Sequence, residues 1–471
     1  MLEHPAPRRV SSAAMLKPLF LSCAIALTSL AHADVSSAPA GAPRTALKPI
    51  AFTEYDLPNG LHVILHENHA APVVSSYVLY HVGSKNERPD RTGFAHFFEH
   101  LMFEGSDNIK RGTIDKLVSG AGGNLNASTG FDKTDYFLNL PSNQLKLALW
   151  IESERMMHNR IDETGVETQR KVVKEERRMR YDNQPYGSLF EKLVGFALKG
   201  TPYSWTPIGS VQYIDEAKIE EFRDFWKVYY VPNNATLAIA GDINIEETKK
   251  LVADYFNAIP KGAEPPRPKL TMSAPSGPQK LVVKEDKTPL NASLHVWHAC
   301  AERDPDAYAL DMLANILASG RSSRLYRRLV DKEQAALNAE AFPELFELTG
   351  VVGVFATGIA GVPLEKLDAL MTEEVEKVKA EGVTEDEFAK AMNQKEAEIA
   401  NANGAMLTRA KNLANAHVFE GGTDEVNKQL GHYLAVKRED LQRVAKKYFA
   451  ADKVYVLHYP AAEQAKVSGD K

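Results

Sequence analysis

The stretches "VLYHVGSKNE" (Val78–Glu87) and "HVWHACAERD" (His295–Asp304) lie in opposite halves of the chain and superimpose Tyr80 on Trp297, His81 on His298 and Glu87 on Asp304. Each belongs to a strand-like run, "VVSSYVLYHVGS" and "NASLHVWHACAE", preceded by a shorter one, "GLHVILHEN" and "QKLVVKED". Carried on with a two-residue gap, the alignment sets Gly105 on Gly320 and brings "FAHFFEHLMFEG" (Phe94–Gly105) over the helical pattern "DAYALDMLANILASG". Such self-similarity predicts a duplicated unit of about 200 residues. Further strand and helix patterns follow in both halves, with "QLKLALWIESERMMH" and "PLEKLDALMTEEVEKVKAEG" read as amphipathic helices. This order predicts an α+β fold of two homologous domains, each a mixed β-sheet with helices packed on it.

The 471-residue length suits two cores, and 44% hydrophobic with 25% charged residues excludes a disordered or fibrous chain. The segment "FNAIPKGAEPPRPKLTMSAPSGPQK" breaks every periodic pattern with proline, glycine and lysine. Residues 259–280 are therefore expected to link an N-terminal domain, 45–258, to a C-terminal one, 281–462. At the N-terminus, Arg8, Arg9 and Lys17 precede the apolar "LFLSCAIALTSLAHA", the pattern of a signal peptide over residues 1–33 with cleavage after Ala33. Either Met1 or Met15 can start it. An exported, periplasmic protein without membrane insertion after cleavage is expected. Its one remaining cysteine, Cys300, leaves no internal disulfide, and the net charge of −6 offers nothing to nucleic acid.

Within Phe94–Gly105 the sequence sets two histidines and a glutamate among phenylalanines. Read as a helix from Thr92 to Gly105, it puts His96 and His100 one turn apart on one face with Glu99 beside them. Three ionisable groups in an apolar helix need compensation for lost water, and a zinc ion supplies it. The spacing H-x-x-E-H inverts H-E-x-x-H and is a zinc-hydrolase signature, with Glu99 free to take a proton from metal-activated water. A third protein ligand is expected in the charged helical stretch "ETGVETQRKVVKEERRMRY" (Glu163–Tyr181), whose inner face Val172 and Val173 mark; spacing alone leaves Glu167, Glu175 and Glu176 open. Arg177, Arg178 and Arg180 read as a solvated face. His295, His298, His417 and His432 have no ligand spacing and read as surface or satisfied core groups.

"HFFEH" followed by "QRKVVKEERR" resembles the pitrilysin, insulysin and mitochondrial processing peptidase family of inverted-motif zinc peptidases, especially its exported bacterial members of similar length. "GGNLNASTGFDKTDYF", "DNQPYGS", "TPYSWTPIGS" and "YYVPNNATLAIAGDI" extend the likeness. The resemblance implies a clamshell of two domains, one Zn2+ per chain on His96, His100 and Glu176, and a peptidase with Glu99 as general base. It also implies that "NLNAST" is a sheet edge to which substrate adds as a strand, with Asn126 and Ala127 as substrate contacts. Two departures stand out. Where relatives carry a second glutamate before the third ligand, this chain has Gln169, a residue that supports the site without sharing charge. Where complete enzymes carry an arginine and a tyrosine for substrate, "GVVGVFATGIAGVPLEK" has neither. A homologous, metal-free subunit is then expected to supply the pair in a heterodimer. The second reading is a non-catalytic assembly or chaperone-like subunit, against which the intact ionisable set speaks.

Overall fold

The computed structural model describes residues 48–462, which contain two sheets. Residues 1–33, with the expected signal peptide, its cleavage point and both candidate starts, lie outside the described residues. The first sheet comprises β1 (Thr53–Asp56), β2 (His62–Glu67), β3 (Val73–Tyr80), β4 (Asn124–Thr129), β5 (Thr134–Pro141) and β6 (Ala235–Gly241), in the order β1-β2-β6-β3-β5-β4. The second comprises β7 (Gln279–Val282), β8 (Ala292–Ala299), β9 (Ala336–Leu345), β10 (Gly350–Gly358) and β11 (Tyr455–Tyr459), in the order β7-β11-β8-β10-β9.

Apart from β1, the two orders are the same arrangement. Each sheet has one parallel pair, β2 with β6 and β7 with β11, and its other pairs run antiparallel. Mixed sheets of one topology in both halves give the duplicated α+β architecture its structural form. Between the Ile245–Phe256 helix and β7 the chain forms neither helix nor strand, as its prolines and glycines dictate.

Each half lends a helix to the other's sheet. Met406–Asn415, late in the chain, packs on β3 and β6, burying Ala410, Leu413 and Ala414 against Ile64, Tyr77, Leu79, Ala238 and Ala240. Leu189–Ala197, from the first half, packs on β8 and β11, burying Leu193, Val194 and Ala197 against Leu294, Val296 and Leu457. A cross-half polar cluster adds to this: buried Lys85 meets Asp132 at 2.6 Å and also Glu347, while Glu347 Oε2 lies 2.7 Å from His81 Nε2. Because apolar burial scales with area, the exchanged helices add stabilising contact between the halves.

Two helical readings need correction. Leu145–His158 is not amphipathic with its charges outward: Glu152, Glu154 and Arg155 are all buried. Their partners explain it, since Arg155 pairs with Glu152 at 2.9 Å and lies over the rings of Phe103 and Tyr136, while Glu154 accepts from Ser106 and Asn108. In the Glu163–Arg177 helix only Val173, with Val166, faces inward; Val172 is 43% exposed. Consecutive helical residues point about 100° apart, so both valines cannot serve one face.

Candidate metal centre

The helix α1 spans Phe94–Leu101, shorter than the Thr92–Gly105 expected. Its N-cap is Gly93, with φ of +97°, and a Cβ there would lie 3.1 Å from the Ile208 carbonyl oxygen and 3.2 Å from Gly209 Cα. Glycine therefore sets the entry angle. The cap itself comes from Glu87, whose carboxylate accepts from the backbone N–H groups of Gly93 (2.9 Å) and Ala95 (2.8 Å) and from Trp205 Nε1 (3.1 Å). The carboxyl group at this end satisfies orphan donors; burial pushes it up to about 8 against the pull of these hydrogen bonds. Below it, Phe94, Phe97 and Phe98 pack on Phe222, and Phe98 also on Phe225 and Tyr230. Apolar contact on these sides fixes the direction of the polar face.

That face carries His96 and His100, their rings 82° apart and their Nε2 atoms 3.3 Å apart. From the Glu163–Arg177 helix, Glu176 Oε2 reaches within 3.1 Å of His100 Nε2 and 3.5 Å of His96 Nε2. Val173 is buried one turn earlier on the same helix, so the apolar contact that seats the helix also aims Glu176. Of the alternatives left open by spacing, Glu175 is turned to Arg178 and Glu167 to Arg170, both away from the histidines. Four atoms held tetrahedrally at 2.0–2.1 Å from a zinc ion lie about 3.3 Å from one another, and the three atoms here have that spacing. The donor set fits a zinc ion.

Electrostatics prepares the same chemistry. Burial, with His100 adding, pushes His96 down to about 3, so it is a neutral donor. Against the upward push of burial, the His100 hydrogen bond, both imidazoles and Arg180 hold Glu176 at about 2, an anion. Glu176 Oε1 takes a second contact from Arg180 at 2.7 Å. Arg180 is exposed, as read, and also touches the candidate ligand; its i, i+4 relation to Glu176 was the available signal. Arg177 instead pairs with Glu191 and with the Gly209 carbonyl. Burial first, then Glu176 and Asp135, raises Glu99 to about 7 despite His100 and the Thr129 hydroxyl beside it.

Gln169 adjoins His100 and donates to Glu104 Oε1 at 2.5 Å. Glu104 in turn meets Arg111 at 2.6 Å, and Arg111 meets Asp162, the N-cap of the Glu163–Arg177 helix, at 2.5 Å. A line of polar contacts therefore runs from one helix cap to a candidate ligand. His96 Nδ1 is buried without a partner, so the two imidazoles are unequally supported. Asn126 and Ala127 lie on β4, the sheet edge, which α1 adjoins; Asn126 Oδ1 accepts from the Ala127 N–H at 2.9 Å. Glu87 and Trp205 went unrecognised by sequence reasoning, since a cap contributed from outside the helix has no fixed spacing.

The second half has different chemistry at the matching place. Its counterpart helix, Asp306–Ala318, carries Asp311, Ala314 and Asn315 where α1 has His96, Glu99 and His100. Asp311 Oδ2 meets Lys395 at 2.7 Å and accepts from Tyr433 at 2.7 Å. An ion pair stands there without any imidazole. Among the other histidines, His295 meets Asp368, His298 the Ala197 carbonyl and His432 Glu425, as satisfied polar groups do.

Comparison with known proteins agrees with this division. Residues 62–208 match the model of the insulinase family, peptidase family M16, and residues 217–395 match that of the peptidase M16 inactive domain. A zinc protease, PqqE, of Helicobacter pylori is 34% identical over 400 residues, covering 83% of this chain and 89% of that protein. The crystal structure of a protease from Helicobacter pylori superimposes with a TM-score of 0.83 at 30% identity, over 87% of this chain and 99% of that one. A peptidase M16 inactive domain from Pseudomonas fluorescens shares the fold, with a TM-score of 0.78 at 15% identity, over 88% and 99%. The chain belongs to the M16 peptidase family and has its two-domain clamshell fold. Its relatives include proteins named zinc proteases.

Proposed function

We propose that the chain is a zinc metallo-endopeptidase that hydrolyses peptide bonds in peptides or unfolded segments. The observation that carries this reading is the convergence of two imidazole nitrogens and one carboxylate oxygen, 3.1–3.5 Å apart, next to the largely buried carboxyl group of Glu99. In it, His96, His100 and Glu176 hold the ion. When bound, a zinc ion polarises the scissile carbonyl and makes water acidic enough to attack it.

Glu99 accepts the proton of the attacking water and passes it to the leaving amine. A carboxyl group raised to about 7 by burial is matched to both transfers near neutral pH. Backbone groups of β4 bind substrate as an added strand, at Asn126 and Ala127. The Asn126 side chain, bonded to the Ala127 N–H, must give way to the incoming strand. Gln169 holds the orientation of His100.

Gly350–Lys366 contains no arginine or tyrosine, which supports a heterodimer in which a homologous metal-free subunit provides those substrate contacts. The N-terminal pattern of residues 1–33 supports export to the periplasm. Among the described residues no helix is long and apolar enough to cross a membrane.

Hydrolysis of an unstructured peptide mixture by the chain, with and without a chelator and a co-encoded homologue, tests the reading. Expected are chelator-sensitive cleavage, a rate increase with the homologue, and loss of one bound ion in His96→Ala. Absence of cleavage and of zinc uptake, even with the homologue present, would instead favour the inert-subunit reading.

A further inference from the structure

The Leu189–Ala197 helix has two unlike sides. Leu193, Val194 and Ala197 are buried against the second sheet, whereas Lys192, Gly195, Phe196 and Lys199, spaced i, i+3, i+4 and i+7, turn the opposite way. Those four residues line a cleft of about 1430 Å³. Pro265, Pro266 and Pro268 keep the linker out of helix and strand, and Arg267 and Lys269 beside them line the same cleft. Six basic residues and two acidic ones surround it, in a chain whose net charge is −6. Both acidic ones are engaged: Glu191 meets Arg177 at 2.9 Å, and Glu87 caps α1. Lys85 is taken up by Asp132 and Glu347. Arg267 donates to neutral acceptors, the His81 carbonyl oxygen at 2.9 Å and Asn234 Oδ1 at 2.8 Å. Lys192, Lys199 and Lys269 are exposed, and none pairs with a carboxylate among the described residues. Four cations therefore share the cleft without a counter-charge.

We propose that this cleft binds an acidic peptide segment, whose carboxylates meet Lys192, Lys199, Arg267 and Lys269. A recess lined by one sign of charge concentrates ligands of the other sign. Cations spread over a helix face and a separate linker suit a chain carrying several carboxylates better than one compact anion. The volume exceeds the roughly 300–1,000 Å³ of small-molecule sites and leaves room for a peptide backbone. Phe196, Trp205 and Tyr229 add apolar surface for the segment's methylene groups. Trp205 and Glu87 belong to the same lining, so a bound segment rests against the cap of α1.

The lining includes none of His96, Glu99, His100 and Glu176, so the inference does not rest on the peptidase reading. Fluorescence anisotropy of a dye-labelled octaglutamate, on the intact chain at low salt, tests it. Expected are saturable binding that weakens as salt is added, and a loss of about 10-fold in Lys192→Ala/Lys199→Ala/Lys269→Ala. These lysines are exposed and unpaired, so the variant should keep the wild-type melting temperature. Lys110→Ala/Lys116→Ala/Lys146→Ala, which removes exposed lysines elsewhere, and His96→Ala/His100→Ala should both bind as the wild type does. The proposal is overturned by an absence of salt-sensitive binding, by equal losses in the two lysine triples, or by a loss confined to the histidine variant. Inorganic tripolyphosphate held by the same three lysines more tightly than the peptide would mark a small-anion site and overturn it too.

Discussion

Lys395 Nζ lies 2.7 Å from Asp311 Oδ2, at the position in the second half that His96 holds in the first. Where α1 presents donors for a cation, the duplicated helix faces a cation the chain itself supplies. Asp311→Ala leaves the buried ammonium with Glu398 alone, and a loss of about 3 kcal/mol is expected. Asp311→Ala/Lys395→Met should recover most of that loss in urea denaturation. Two additive losses would show that the residues are not coupled.

Glu99→Gln keeps the shape of the side chain and removes its proton affinity. Peptide hydrolysis should fall by about 10²–10⁴-fold while zinc content stays as in the wild type. Metal analysis beside the kinetic assay checks both halves of this expectation; a variant that retains its rate would remove Glu99 from proton transfer.

Gln169→Ala breaks the polar line from Glu104 to His100 without touching a proposed ligand. Zinc affinity at that site should fall by about 10–100-fold, measured by competition with a chromophoric chelator. An unchanged affinity would mean that packing alone orients His100.

Glu87→Ala removes the acceptor for two N–H groups at the start of α1 and for Trp205. Loss of the cap should cost about 2 kcal/mol in urea denaturation, and Glu87→Gln, which keeps one acceptor, less. Equal losses from both would show that the cap needs both carboxyl oxygens as acceptors.

Glu347 is held at about 2: burial pushes it upward, and the His81 hydrogen bond and the Lys85 charge more than reverse this. A folded-state value below the unfolded one means the contribution is complete above about 4.5 and is lost as pH falls through 2. The melting-temperature gap between wild type and Glu347→Gln should therefore be constant near neutrality and close between about pH 4.5 and 2. A gap that widened on acidification would reverse the assigned sign.

Helical period alone was enough to put His96 and His100 on one face and Glu99 beside them, because residues four apart in a helix are neighbours whatever surrounds them. Strand runs such as Val73–Tyr80 and Ala292–Ala299 were likewise legible from their apolar β-rich pattern, and so was the duplication that relates them. Local chemistry did not reveal that Glu152, Glu154 and Arg155 would be buried, since their compensating partners come from elsewhere in the fold.

What the sequence by itself determined was the pair of similar sheet-and-helix units and the ionisable face of one helix, both products of short-range periodicity. Tertiary structure decided which glutamate meets the histidines, that Glu87 caps their helix, that the halves exchange helices, and that His62 stacks on His417. Those relations join residues distant along the chain, and only the burial of apolar faces against one another fixes which distant groups become neighbours.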